Sequence, residues 1–396
     1  MTATVAIVGG GPSGAFAAEL LARAGRTVLL IDEKLAWEKP CGGGITDKAL
    51  ARYSFLREAP VERHWVRACE LISPCDRRAT LELDRSIAIF SRQVLNGLML
   101  ERAREAGAEV LKDRVTGITR GDGKWRLKAR SGEVEAEYLV LAAGGRNHFR
   151  AQFAQPFKPE DLMATAGYYI PGSSPRMLIK FLPGLAGYIW IFPRHDHLSA
   201  GICGKMDGST TPELRRMLEE FLHAEGLQFA SAQFYSHVLP AVSAPALQDP
   251  RVQGEGWAMI GDAAGFVDPI TGEGLYYAFR SAELFAEALL ADQPADYQQK
   301  VASDFLPDLQ TAAAISDRFF FGNFWGGGVI ERMVQFTESS PSFRELMCDL
   351  FAGTQSYIGL KRRAYRNLLP TLVEIFVHEV FGDRQSGPRQ PATGAA

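Results

Sequence analysis

The sequence predicts an α/β fold with a Rossmann-like domain, an antiparallel β-sheet inserted into it, and a C-terminal helical region. Three observations support this prediction. Residues 4–32 run in the order strand, glycine-rich turn, helix and strand, with the continuous apolar character of parallel strands buried on both faces. Residues 163–205 are aromatic and β-branched segments between Pro and Gly turns, as in antiparallel strands. Residues 276–381 have mostly helical apolar spacing.

The composition excludes several classes of protein. A formal net charge of −3 over 396 residues, without a basic tail, gives no electrostatic reason to expect a nucleic-acid partner. The five cysteines are scattered and lack the spacing of metal ligands, so we expect reduced thiols, a cytoplasmic protein and no metal site. No signal peptide is recognisable, and no segment approaches the ~20 consecutive apolar residues of a membrane span. The composition does not exclude a peripheral contact with a membrane.

A dinucleotide-binding fingerprint follows the first predicted strand. Gly9, Gly11 and Gly14 form a GxGxxG motif, and Asp32 ends the next strand. Such glycines allow a tight turn, close approach to a pyrophosphate and close helix packing, while the helix N-terminus supplies N–H groups and partial positive charge. The acid would accept hydrogen bonds from ribose hydroxyls; the alternative is a turn that serves packing alone. The predicted binding residues here are Gly9, Gly11, Ser13, Gly14, Asp32 and Glu33.

A second segment, "GWAMIGDAAGFVDPITGEGLYYAFRSA" at 256–282, decides between nicotinamide and flavin. It resembles the FAD-contacting segment of the p-hydroxybenzoate-hydroxylase-like flavoproteins. In that superfamily the aspartate of the Gly-Asp pair contacts the ribitol and pyrophosphate side. The following helix points its N-terminus at the flavin pyrimidine ring, where reduced flavin accumulates negative charge. A third match is "SRQVLNGLMLERA", whose arginine reaches the FAD phosphates in relatives. The resemblance adds Arg92, Gly144, Gly261, Asp262, Pro269, Gly272 and Gly274 to the cofactor-binding residues.

The return of these signals after residue 250 indicates that the middle sheet is inserted into an FAD-binding Rossmann-like domain. We therefore expect five segments. They are residues 1–160 as the first part of the FAD-binding domain (with 51–80 contributing to the substrate side), 161–250 as the antiparallel β-sheet substrate domain, 251–295 as the last part of the FAD-binding domain, 296–381 as the C-terminal helical region, and 382–396 as a disordered tail.

Two further motifs resemble one particular family of flavoproteins. "KPCGGG" at 39–44 and "GYIWIFP" at 187–193 resemble the geranylgeranyl reductase family, flavoproteins that hydrogenate prenyl carbon–carbon double bonds. The resemblance covers most of residues 4–290. It implies that Cys41, Gly42 and Gly43 pass close to the isoalloxazine ring, where glycine lets the backbone approach without a side-chain clash.

The aromatic strand supplies the candidate substrate site. Tyr188, Trp190 and Phe192 share one face of a strand because side chains alternate with period two. Three aromatic rings on one face either wall a long apolar slot over the flavin or fill an ordinary sheet core. The family resemblance favours the slot and a small apolar prenyl substrate.

The implied reaction transfers hydride from reduced flavin N5 to one alkene carbon and a proton to the other. An isolated alkene is a poor hydride acceptor, so the protein must hold it at near-attack distance and exclude water. We expect Cys41 to be the catalytic proton donor, since an ordinary thiol pKa of ~8.5 keeps it protonated at neutral pH. Alternatively Cys41 is a small packing residue.

Several alternatives remain. A flavin-dependent monooxygenase or halogenase shares the same frame, although halogenases typically carry Trp-x-Trp-x-Ile-Pro where this chain has Tyr188 and Phe192. A flavin-binding redox partner protein is a third reading. No second GxGxxG is present, so there is no dedicated NADPH domain, and "AAGGRNHFR" in place of the usual Asp-Gly pair argues against an NADPH-docking role for that motif. The electron donor, NADPH or a ferredoxin, is left open. The aromatic run at 317–328 closes a tunnel, packs as a helix or touches lipid. The basic cluster at 361–366 binds phosphate or is solvated.

Overall fold

The computed structural model describes residues 2–381, and it confirms the predicted fold class. The strands of this part of the chain are β1 (Thr2–Val8), β2 (Val28–Asp32), β3 (Gly44–Ile45), β4 (His64–Ile72), β5 (Arg78–Ile89), β6 (Glu109–Lys112), β7 (Val115–Gly121), β8 (Lys124–Ala129), β9 (Gly132–Leu141), β10 (Leu162–Pro171), β11 (Met177–Phe181), β12 (Gly187–Pro193), β13 (His197–Lys205), β14 (Gln233–Pro240), β15 (Gln253–Gly254), β16 (Trp257–Met259), β17 (Asn323–Phe324) and β18 (Gly327–Gly328). The expected disordered tail at 382–396 lies outside the described residues.

The helices between these strands are α1 (Pro12–Arg23), α2 (Asp47–Arg52), α3 (Phe55–Glu58), α4 (Arg92–Glu105), α5 (Arg150–Phe153), α6 (Thr211–Ala224), α7 (Ala244–Leu247), α8 (Leu275–Leu290), α9 (Asp296–Asp304), α10 (Leu306–Phe321), α11 (Val329–Ser339), α12 (Pro341–Ala352) and α13 (Tyr357–Phe381). Two short 3-10 turns lie at Pro159–Asp161 and Gly261–Ala263. Among the described residues, no helix combines the length and the apolar character needed to cross a membrane.

The first sheet is built on a parallel core. β1 pairs in parallel with β2 and β9, β2 pairs with β6, and β9 pairs with β16. β7, β8 and β9 form the antiparallel meander that glycine turns predicted. α1 packs between α4 and α8, and its apolar side chains share one core with the sheet. The carboxyl ends of β1, β2, β9 and β16 therefore meet at one edge, which is where ligands bind in open α/β sheets.

The second sheet has the strand order β14-β10-β13-β12-β11-β4-β5-β3 and is antiparallel except where β11 runs parallel to β4. One part of it packs against the apolar side of α6, and another part packs against α11 and α12. β4 and β5 come from residues before the meander, so residues up to Ile89 contribute to this sheet. With that extension beyond residue 80, we retain the five segments as a proposal for the domain boundaries.

Candidate active site

The turn between β1 and α1 is shaped for close approach of the backbone to a ligand. Gly9 has a φ of +114°, and a Cβ there would lie 2.4 Å from the carbonyl oxygen of Ala142. A Cβ on Gly14 would lie 2.0 Å from the Gly9 oxygen, so this glycine lets α1 pack on the turn. Gly11 instead faces open space. The first turn of α1 has neither an acidic residue nor a side-chain cap, so its N–H groups remain available to an anion.

Asp32 ties this turn to the end of β2. Its Oδ2 accepts a hydrogen bond from the Gly10 N–H at 2.8 Å, and its Oδ1 accepts from the N–H groups of Lys34 and Leu35 at 2.8 and 2.6 Å. Glu33 lies beside it and lines the same cavity. Each carboxylate oxygen has two lone pairs, so both acids keep acceptor capacity for a ribose hydroxyl.

Asp262, next to the end of β16, faces the loop at 38–44. Its Oδ2 lies 2.9 Å from Lys39 Nζ in a mostly buried ion pair. Burial alone would raise the pKa of Asp262, but Lys39 and Arg92 outweigh it and lower the pKa below the ordinary value. Burial, reinforced by Lys39, lowers the pKa of the nearby His237 to about 3. Asp262 is therefore a carboxylate and His237 a neutral imidazole at physiological pH.

The loop at 38–44 is fastened to both sides of the site. Arg194, which follows β12, is fully buried, and its guanidinium donates hydrogen bonds to the Cys41 carbonyl and to the Glu38 carboxylate. Ser199 Oγ donates to the same Cys41 carbonyl at 3.0 Å. Glu38 also accepts from the Arg92 N–H at 2.8 Å, at the start of α4. The second sheet and α4 together fix the position of Cys41.

The Cys41 thiol lies in an electropositive setting. Its Sγ accepts a hydrogen bond from the Gly43 N–H at 3.3 Å. Burial would raise the pKa of Cys41, but Arg92, the Gly43 N–H, Lys39 and Arg194 together lower it below the ordinary thiol value. The expectation of an ordinary thiol pKa is therefore wrong, because the cations come from other segments of the chain. A lowered pKa makes Cys41 a stronger acid that is ionised over more of the pH range.

The glycines of the same loop have close protein neighbours. A Cβ on Gly42 would lie 2.6 Å from the Phe192 ring. Gly43 has a φ of +84°, and a Cβ there would lie 2.1 Å from the Phe90 carbonyl oxygen. Packing against β12 and the end of β5 therefore requires glycine at both positions, in addition to any close approach of this backbone to a flavin ring.

The aromatic residues of β12 form one wall of an apolar chamber. Tyr188 and Trp190 are in edge contact at 6.3 Å between centroids, and Phe192 lies against the glycine loop. The Trp190 Nε1–H donates to Ser199 Oγ at 3.4 Å, and the Tyr188 hydroxyl donates to the Thr271 carbonyl. These two bonds satisfy the polar ends of the rings, so the apolar faces remain for a ligand.

One cavity of about 740 Å³ joins this chamber to the GxGxxG turn. Another side of the chamber comes from the C-terminal helices. Its apolar lining residues there are Ile315, Phe319, Met333, Met347, Leu350, Phe351 and Leu360. A polar half with glycine backbone, Asp32 and Asp262 thus continues into an apolar half, as expected of a site that binds a cofactor beside an apolar substrate.

Comparison with known proteins agrees with this geometry. Residues 2–170 match the family of FAD binding domains. A geranylgeranyl diphosphate reductase from Synechocystis sp. is 27% identical over 383 residues, which cover 88% of this chain and 90% of the relative. The crystal structure of a geranylgeranyl bacteriochlorophyll reductase-like protein from Thermoplasma acidophilum superposes with a TM-score of 0.76 at 19% identity, covering 92% of this chain and 99% of that one. This chain is similar in sequence to geranylgeranyl diphosphate reductases, and its first 170 residues match an FAD binding domain.

The fold of this chain is shared more widely. The structure of a flavin-dependent brominase superposes with a TM-score of 0.66 at 18% identity, covering 97% of this chain and 100% of that one. At this identity the likeness concerns the fold alone. The chemistry must be argued from the residues around the cavity.

Two buried polar atoms at the cavity test whether FAD fits. Arg92 is 3% exposed, its Nε has no hydrogen-bond partner, and among the described residues its side chain donates one hydrogen bond, to Asn96 Oδ1 at 3.4 Å. The Nδ2 of Asn147 is also buried without a partner. Both residues line the polar half of the cavity. A buried guanidinium without a direct ion-pair partner among the described residues, beside a glycine-rich turn, fits a phosphate group, and an amide N–H fits an additional acceptor. Arg92 would hold the FAD pyrophosphate, and Asn147 would hold a neighbouring polar group of FAD.

The structure brings most of the predicted site residues to one cavity. Those that line it are Gly9, Gly11, Ser13, Asp32, Glu33, Cys41, Gly42, Gly43, Arg92, Gly144, Tyr188, Trp190, Phe192, Asp262, Gly272 and Gly274. Three lie apart from it. Gly14 and Gly261 serve packing, the latter against Ser13, and Pro269 borders a second, smaller cavity near Lys205. Pro269 is outside the lining of the main cavity, although its neighbours Ile270 and Thr271 belong to that lining, so a cofactor contact of Pro269 stays a prediction.

Arg194 and Glu273 are among the charged residues of the site that the sequence did not predict. Arg194 directly follows the "YIWIFP" motif, and an arginine at the end of a buried strand was a usable signal. Glu273 lies between the two glycines of "GEG", lines the cavity, and accepts a hydrogen bond from Thr46 at 2.9 Å. Burial raises the pKa of Glu273 to about 7, more than Thr46 lowers it. This carboxyl is therefore partly protonated at neutral pH.

Proposed function

We propose that the protein is an FAD-dependent reductase that hydrogenates carbon–carbon double bonds of a prenyl group. The observation that carries the proposal is the continuity between the polar half of the cavity and the chamber walled by Tyr188, Trp190 and Phe192. A geranylgeranyl-type chain is long and apolar, which suits a chamber whose remaining walls are aliphatic and aromatic. The name of the Synechocystis relative, a geranylgeranyl diphosphate reductase, supports the same substrate class.

The residues of the chamber have two tasks in this reaction. Bound and reduced FAD supplies a hydride. The aromatic wall and the C-terminal helices hold the alkene and exclude water. The charges of Lys39 and Asp262 cancel each other in their ion pair, so together these two residues add no net charge to the site. We propose that Cys41, held by Arg194 and Ser199, delivers the proton to the second alkene carbon.

The activity test begins with the purified protein. We expect a yellow holoprotein that, after anaerobic reduction, adds two hydrogens per double bond to prenyl diphosphates or prenylated quinones, measured by mass spectrometry. NADPH and reduced ferredoxin are to be compared as electron donors. A monooxygenase or halogenase would instead consume oxygen in proportion to substrate. Substrate-dependent oxygen uptake without a mass gain of two hydrogens would reject the reductase proposal.

Cys41→Ala is expected to lower prenyl reduction roughly 100-fold or more, which is the usual contribution of a general acid, while FAD stays bound. Because the acid must be protonated, the wild-type rate should fall as pH rises through the Cys41 pKa, and the fall should begin below the ordinary thiol range. Single-turnover rates across pH measure both effects.

The exposed Cys75 supplies the control, since Cys75→Ala removes a thiol that does not line the cavity. Full turnover by Cys41→Ala would contradict the role of the thiol. If Glu273→Gln were then inactive, the proton would come from the Glu273 carboxyl.

A further inference from the structure

Exposed apolar side chains are concentrated in the C-terminal helical region. Seven of the ten large exposed hydrophobic residues in the described chain lie between residues 321 and 373. They are Phe321, Phe324, Trp325, Ile358, Tyr365, Leu369 and Val373. Phe324 and Trp325 stack at the tip of the β17–β18 hairpin, and the last four residues belong to α13. Such a concentration in a water-exposed region marks an interaction surface.

The four apolar residues of α13 lie on one side of the helix. Ile358, Tyr365, Leu369 and Val373 are spaced by seven, four and four residues, which places them in a single stripe. They are 61%, 67%, 71% and 55% exposed. With the exposed Lys361, Arg362 and Arg366, they form what we call the outer face of α13. The opposite side packs inward, where Tyr357 and Leu360 line the apolar chamber.

The charge of the outer face has one sign. Lys361, Arg362 and Arg366 have no acidic partner within ion-pair distance among the described residues, whereas Arg363 on the inner side pairs with Asp349 at 2.6 Å. The carboxylate of Glu374 on α13 accepts hydrogen bonds from the hydroxyls of Ser340 and Ser342, at the start of α12. The outer face is therefore apolar along its length and cationic, as in helices that lie in the interface of an anionic membrane.

A second copy of the chain fits this face poorly. A two-fold symmetric dimer brings the same patch of both subunits together, so the three cations would face their own copies. Like charges across an interface oppose association. Anionic lipid headgroups complement the cations, and the stems of Lys and Arg can lie along the apolar stripe with their charges in the headgroup layer.

We propose that the outer face of α13 docks on the surface of an anionic phospholipid bilayer, with the β17–β18 hairpin tip as a second anchor. The benefit of docking for catalysis rests on the proposed function. α13 is one helix thick, roughly 10–12 Å, and its inner side is a wall of the chamber. Docking therefore places the chamber one helix away from the phase in which a prenyl chain dissolves.

The test is co-sedimentation of the full-length holoprotein with vesicles. The wild type is expected to bind phosphatidylcholine vesicles that contain about one third phosphatidylglycerol, and to bind pure phosphatidylcholine far less. The triple variant Lys361→Gln/Arg362→Gln/Arg366→Gln should bind the anionic vesicles roughly 100-fold more weakly, because each basic residue near such a surface contributes about fivefold. Leu369→Ser/Val373→Ser should also release the protein. Phe324→Ser/Trp325→Ser measures the hairpin separately.

Trp65→Ser provides the matched control, since Trp65 is an exposed aromatic residue on β4 and should not affect binding. Reduction of a water-soluble, short prenyl diphosphate without vesicles should be the same in Leu369→Ser/Val373→Ser as in the wild type, because neither residue lines the cavity. If the wild type reduces no prenyl substrate, the proposed function fails while vesicle binding is still measured. A wild type that stays in the supernatant, or binding that both α13 variants retain, overturns the docking surface. A concentration-dependent dimer lost in those variants would assign the face to a second copy.

Discussion

Replacing Arg92 by methionine is expected to remove FAD from the protein without destabilising the fold. Arg92 is buried at the polar half of the cavity, and no described carboxylate lies within ion-pair distance of its guanidinium, although Asp262 is near enough to interact with it. One charge-assisted hydrogen bond to a phosphate is worth about 1.5–3 kcal/mol, so the FAD dissociation constant should rise roughly 10- to 150-fold per lost bond. The flavin-free variant should be at least as stable as the flavin-free wild type, because removing an unpaired buried cation removes its desolvation cost.

Isothermal titration of the apoprotein with FAD measures the dissociation constant, and urea unfolding of the apoprotein measures its stability. Arg104→Met is the control, because Arg104 lies on the same helix α4 but forms a solvent-exposed ion pair with Glu101. Unchanged FAD affinity in Arg92→Met, or a loss of stability large enough to explain weak binding, would show that Arg92 is a structural residue.

The features that the sequence predicted correctly depend on neighbours in the chain. The turn at Gly9 and Gly14 is defined by residues a few positions apart, and the structure shows the strained φ and the close helix approach that the spacing requires. The shared side of Tyr188 and Trp190 follows from the two-residue period of a strand. Local periodicity and local backbone geometry therefore contained the fold class and most of the cavity lining.

The features that were missed depend on residues far apart in the chain. The contact between Gly42 and Phe192 spans 150 positions, and Arg194 meets Glu38 across a separation of 156. The lowered pKa of Cys41 depends on cations from α4, its own loop and the end of β12. A sequence pattern shows which residue types occur, but the electrostatic field at one thiol requires the tertiary arrangement. The expected role of the loop glycines, approach of the backbone to the flavin ring, left out their packing against Phe192 and Phe90 for the same reason.

Arg194→Leu is expected to lower the free energy of unfolding by about 3–5 kcal/mol, the usual cost of removing one partner of a buried ion pair. The substitution leaves the Glu38 carboxylate without its cation and the Cys41 carbonyl with Ser199 as its remaining side-chain donor. Urea unfolding at neutral pH measures the loss. The control Arg216→Leu removes an exposed arginine of α6, whose pair with Glu220 should contribute less than about 1 kcal/mol.

The stability difference between wild type and Arg194→Leu should shrink at acidic pH. Burial would raise the pKa of Glu38, but Arg194 and the hydrogen bonds at Ser91 and Arg92 lower it below the ordinary value. A carboxylate with a depressed folded-state pKa contributes stability that is present above its unfolded pKa and is lost as pH falls through its folded pKa. Wild type therefore loses this contribution on acidification, and the variant has less of it to lose. A difference that stays constant from neutral to acidic pH would mean that Arg194 acts through packing and the Cys41 carbonyl rather than through Glu38.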